Sequence, residues 1–268
     1  MLRKLLKYDL KAIQKLFWLL GGSVIGLSLL GGLAIRFMVS NENDALILFS
    51  VFSGFFVFLN VMAIVAFAGI IYIMVYYRFY KNLFTDEGYL TFTLPVSRAH
   101  LLASKTLNAM IWTLGCGVVV VICIAEILLI AVPKDFWNFF SFSVSAWWLL
   151  YIPLIIFALL MLMWCSISMI QFCITTGAVI AKKYKFLAAI GIYYLFSMAS
   201  SLLWQIFSII GTIALGDTLA TTLPSLSDSD GKLLGAAVVL AVGAIAGCIA
   251  ATLHFLTLGH LERRLNLA

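Results

Sequence analysis

Six long apolar runs, separated by short polar segments, organise this chain. They cover about residues 16–39, 46–77, 106–132, 148–181, 187–215 and 233–258. The first would span about 36 Å as a helix at ~1.5 Å per residue, enough to cross a hydrocarbon core of ~30 Å. The second exceeds one membrane thickness and is expected to tilt or to project beyond the bilayer. Pro153 predicts a kink near the start of the fourth. Before the first run, Leu2, Leu5, Leu6, Leu10 and Ile13 recur at helical spacing, with Arg3, Lys4, Lys7, Lys11 and Lys15 on the other side. Asp9 interrupts the apolar arc. Residues 1–15 are therefore predicted as a separate amphipathic helix lying on an anionic membrane face. A cleavable leader does not fit, because the basic region and the apolar run are too long and no small-residue cleavage site follows.

Composition supports the same class. The chain is 64% hydrophobic and 10% charged, against about 45–50% and about 25% for soluble domains. A single soluble core of this length could not hide that much apolar surface. The predicted fold is an all-α integral membrane protein. It has an N-terminal amphipathic helix at 1–15, which the family resemblance given below would make an elbow helix, and a six-span domain at 16–268.

The net charge of +6 points to nucleic acid only until the charges are placed. Arg36, Lys134 and Lys232 fall on one side of the predicted membrane, and the other 14 of 17 basic residues on the opposite side. By the positive-inside rule both termini are cytoplasmic, and no nucleic-acid partner is implied. Cys116, Cys123, Cys165, Cys173 and Cys248 all lie in apolar runs without metal-ligand spacing, so they read as small buried hydrophobes. No metal site is predicted. Ser227–Gly231 resembles part of a calcium loop, but the downstream Glu is missing.

The longest polar stretch is 78–105, RFYKNLFTDEGYLTFTLPVSRAHLLASK. Asp86 and Glu87 suit the start of a short helix, where carboxylates favour the positive end of the macrodipole. Tyr89, Leu90, Phe92 and Leu94 are large apolar residues in an otherwise polar loop. Pro95 stops the element, and Ser97 is an expected N-cap for the helix entering the third span. The residues alone leave two roles open for this element: docking of a partner, or packing on lipid.

The run TDEGYLTFTLPVSRAHLLASK, after a long second span, resembles the permease subunits of type-2 ABC exporters. The resemblance implies that Asp86, Glu87, Gly88, Tyr89, Leu90, Phe92 and Leu94 form a coupling helix that docks on a separate ATP-binding cassette ATPase subunit. Glu87 would be the matching acidic position. A second permease chain, identical or related, would complete the transporter in a bacterial plasma membrane. ATP and Mg would be held by the ATPase, and this chain would bind no cofactor and catalyse nothing. Consistently, the sequence contains no G-x-x-x-x-G-K-[ST] phosphate loop. Many such exporters carry re-entrant helices between the fifth and sixth spans, whereas here residues 216–232 read as a short polar loop. The aromatic loop 133–147 is expected to lie at the interface.

Other candidates lie within the spans. Glu126 is an intramembrane carboxylate, a functional candidate by default. Alternatively it reaches the outer interface or pairs with Arg36. Asn60 and Gln171 are intramembrane amides that suit helix-to-helix bonding. Gly22/Gly26 and Gly243/Gly247 are G-x-x-x-G pairs that assign no interface by themselves. His100, His254 and His260 are expected to be structural. The competing functional classes are a binding-only membrane protein, such as an antimicrobial-peptide immunity factor, and an ion-coupled transporter. No nucleophile–base arrangement supports an enzyme.

Overall fold

The computed structural model describes residues 2–40, 47–93, 96–131, 147–181, 184–222 and 228–263. They form seven helices in chain order: α1 (Leu2–Ser40), α2 (Ile47–Phe84), α3 (Asp86–Phe92), α4 (Arg98–Ala131), α5 (Trp148–Ile180), α6 (Lys185–Thr222) and α7 (Asp228–Arg263). All but α3 are long and apolar enough to cross a membrane. The chain is an all-α, multi-pass membrane protein with six such helices.

Large apolar side chains cover the surface, and several polar ones are buried beside the apolar core. Leu19, Val65, Leu129, Leu149, Leu195 and Phe255 are exposed, whereas Ser28, Asn60, Lys105, Ser168, Gln171 and Thr257 are buried. Lipid solvates apolar surface, so small and polar residues join buried apolar ones such as Phe67, Ile71 and Ile167 at the contacts between helices.

Helix contacts sort into two compact units. The first contains α1, α2 up to Phe79 and α4 from Ala103. Within it α1 and α4 run parallel. Asp9 meets Lys105, Phe17 meets Trp112, and Ser28 meets Glu126. Added methyls at Gly21 and Gly32 would touch Val119 and Ile130. α2 runs antiparallel to α1, with Phe67 on Phe17 and Asn60 over Gly31. The second unit contains the segment from Tyr80 to Leu102, with α3, and α5, α6 and α7. There α5 and α7 run parallel, pairing Tyr151 with Lys232, Ala158 with Gly243, and Phe172 with His260. α6 returns antiparallel to α5, bringing Ala189 to Gly177 and Phe196 to Phe172.

Two sequence expectations change. Residues 1–15 are not a separate element in the structure, because α1 continues unbroken from Leu2 to Ser40. No Pro or Gly stands between the amphipathic segment and the first span until Gly21, so nothing local stops the ladder. The polar loop 216–232 contracts, since α6 reaches Thr222 and α7 starts at Asp228. Carboxylates at the opening of α7 suit the positive end of a helix. Pro153 lies inside α5, in its second turn, near the start of the helix as its position in the fourth run predicts. The aromatic loop 133–147 lies outside the described residues except for Trp147.

Candidate functional site

The connection between α2 and α4 is built by the end of α2, by α3 and by the start of α4. α2 ends at Phe84, where Thr85 turns its hydroxyl back to the Lys81 carbonyl at 2.5 Å. The Gly88 amide donates to the Thr85 carbonyl at 2.7 Å and so closes the turn into α3. Gly88 is required by approach. A Cβ there would stand 2.6 Å from the Leu83 carbonyl oxygen, a backbone atom that cannot swing away. Leu83 and Phe84 are buried beneath this turn.

Glu87 is half exposed and bonded to Lys81 at 2.9 Å. Its charge is thus shared with a neighbour but stays accessible to solvent. An ion pair this exposed contributes at most about 1 kcal/mol to stability. Thr91 donates to the Glu87 carbonyl. The Arg98 guanidinium lies 5.6 Å from the centre of the Phe92 ring. Arg98 also donates to the carbonyls of Leu261 and Glu262 at 2.6 and 2.8 Å. A cation at the last carbonyls of α7 satisfies acceptors that the helix leaves open and faces the negative end of its dipole. Ser97 caps α4 as its sequence position predicts, accepting the His100 amide at 3.4 Å. Tyr80 packs edge-on against Phe186 of α6.

α3 is therefore a short helix held at both flanks: to the end of α2 by Gly88 and Glu87, and through Phe92 and Arg98 to the end of α7. Of the residues assigned to this helix by resemblance, Asp86, Glu87, Gly88, Tyr89, Leu90 and Phe92 are all in α3. Leu94 lies outside the described residues. The sequence did not single out Lys81 or Arg98. Both carry signals that a closer local reading could use, a basic residue six positions before an acid and an Arg six positions after an aromatic residue.

The intramembrane candidates separate. Glu126 accepts a hydrogen bond from Ser28 of α1. Among the described residues it forms no ion pair with Arg36 or any other cation. The Cys123 thiol lies against the same pair. Asn60 of α2 is 1% exposed, one helical turn away, and its amide packs over Gly31. Neither its nitrogen nor its oxygen has a hydrogen-bond partner among the described residues. Gln171 is buried in α5, in the second unit.

Leaving a buried amide unsatisfied costs about 1–3 kcal/mol. Asn60→Leu, which removes both orphaned atoms at nearly the same size, is expected to raise the thermal midpoint of the purified chain. A fall on differential scanning fluorimetry would instead mean that a bound polar group satisfies the amide.

Sequence reasoning missed the pair at the opposite end of this bundle. Lys105 donates to both carboxylate oxygens of Asp9, at 2.8 and 2.7 Å, and both side chains are about nine-tenths buried. From Asp9 to Ser28, α1 advances about 28 Å at ~1.5 Å per residue, close to one hydrocarbon thickness. The parallel helices α1 and α4 are thus joined by a polar contact at each end of an apolar section. No family model, curated protein or solved structure matches the chain.

Proposed function

We propose that this chain is the membrane-spanning permease subunit of a type-2 ATP-binding cassette exporter, sited in a bacterial plasma membrane with both termini cytoplasmic. Two permease chains and two ATPase subunits would make the transporter, with ATP and Mg held by the ATPases. The observation that carries this reading is α3. A seven-residue helix interrupts two long spans, offers a half-exposed carboxylate, and is fastened to the ends of two spanning helices. Such an element transmits a push, because displacing it displaces the helices to which it is fastened. ATP-driven closure of the partner subunits would move α3, and α2 and α7 would carry that motion into the bundle.

Removing Glu87 breaks an internal ion pair as well as a docking contact, so one substitution cannot separate the two. Glu87→Arg is expected to abolish co-purification of the ATPase while the chain remains in the membrane. The swap Lys81→Glu with Glu87→Arg restores the internal pair but leaves position 87 positive. It is expected to stay uncoupled, as read by substrate-stimulated ATP hydrolysis. Recovery of coupling in the swap would assign Glu87 a purely internal role. A wild-type chain that purifies without any ATP-binding partner would favour a binding-only membrane protein.

A further inference from the structure

Gln205 stands on the face of α6 that turns away from α5. Phe196 packs on Phe172 of α5, and the nine positions from Phe196 to Gln205 make about two and a half turns at 3.6 residues per turn. Because α6 runs antiparallel to α5, Gln205 also stands level with Met163, close to the middle of α5. It is exposed there, and its side-chain amide has no partner among the described residues. We infer that this face of α6 packs against the same face of a second copy of this chain, with the two Gln205 amides bonded to each other across a twofold axis.

Lipid cannot satisfy this position. At the mid-depth of a spanning helix the acyl chains neither donate nor accept hydrogen bonds. Asn60, Asn108 and Gln171, amides of other spans, are all buried within the fold, whereas Gln205 points out of it. α6 is also the least covered of the six spanning helices. Ser201 and Ser208 lie one turn to either side of Gln205 and are exposed with it. Their hydroxyls donate to the Met198 and Gln205 carbonyls of their own helix. These small side chains let another backbone approach closely, which brings the longer amide within reach of a partner.

The chemistry of the amide selects the occupant. A primary amide both donates and accepts, so it is complementary to itself. Two copies inserted the same way are related by an axis along the membrane normal. That axis brings a residue beside it to its own counterpart at the same depth. A different protein would have to carry a matching polar group at that depth in its own sequence, whereas a second copy supplies it by symmetry. The pairing gives a place to the second chain of the exporter reading but needs no ATPase, so the two stand or fall separately.

The test is energy transfer between donor- and acceptor-labelled full chains in phosphatidylcholine vesicles, over a range of protein-to-lipid ratios and with no ATPase present. The wild-type chain is expected to dimerise. Gln205→Leu should weaken the dimer about tenfold, which is ~1.4 kcal/mol and within the range for polar bonds between membrane helices. Gln205→Asn, which keeps an amide, should retain most of the affinity, and Ser201→Trp, which blocks close approach on the same face, should lower it. Transfer by the wild-type chain no greater than random crowding produces overturns the inference. So does a dimer that is unchanged in both Gln205→Leu and Ser201→Trp, which would place the interface elsewhere. The thermal midpoint of the dilute monomer is read alongside: a fall in Gln205→Leu would mean that the amide is satisfied within its own chain, and this also overturns it. A dimer that depends on Gln205 in a chain that purifies without any ATP-binding partner supports the interface while removing the exporter reading.

Discussion

Lys105→Met is expected to cost about 3–5 kcal/mol, because it leaves the Asp9 carboxylate buried without its counter-charge. In a chain of this size that loss lowers the thermal midpoint by roughly 10 °C or more. Both oxygens of Asp9 are held by the one ammonium, and the two side chains are 10% and 8% exposed. Solvent therefore screens the pair little. The double replacement Asp9→Leu with Lys105→Met removes both charges and is expected to recover most of the lost stability, since a well-packed apolar pair often matches a buried ion pair. Thermal denaturation of the single and double variants in one detergent checks both values. A single variant as stable as the parent would show that water reaches Asp9. A double variant no better than the single would show that the pair sets the register of α1 on α4, not merely its own neutrality.

Gly243→Val and Gly177→Val are expected to destabilise the second unit, whereas Gly22→Val is expected to leave the monomer unchanged. The ideal Cβ at Gly177 falls 2.6 Å from both the Cα and the nitrogen of Ala189, and at Gly243 it falls 3.1 Å from the Cα of Ala158. These are backbone atoms, so the helices themselves must separate. Overpacking of this kind costs about 1–3 kcal/mol and occasionally more, and Gly177 should sit at the top of that range. A Cβ at Gly22 or Gly26 meets nothing within 4 Å. Size-exclusion profiles and thermal midpoints of the three variants test the ranking. Loss of a folded monomer in Gly22→Val, with Gly243→Val intact, would contradict the packing described.

The two G-x-x-x-G pairs show where sequence reading stops. They are identical as motifs, yet Gly243 and Gly247 receive Phe157, Ala158 and Met161 of α5, while Gly22 and Gly26 face outward. The motif states that a close approach is permitted. Which helix makes it depends on a partner some eighty residues distant in the chain. Glu126 teaches the same lesson. The sequence offered Arg36 as its partner, but the register of α1 on α4 places Ser28 at its level instead.

The pattern of apolar runs by itself determined the class, the six spans and the α3 interruption, because helix length against bilayer thickness and the stop at Pro95 are local constraints. Ser97 as a cap was legible for the same reason, since its bonds are made within one turn. The tertiary structure alone decided what the buried polar residues do. Asp9 looked like a flaw in an amphipathic arc and is instead the anchor of α1, because its partner Lys105 lies 96 positions away. Lipid makes apolar surface cheap on every face, so hydrophobic periodicity cannot say which face of a spanning helix turns inward. The few polar and small residues make that choice, and they make it in pairs that only the folded bundle brings together.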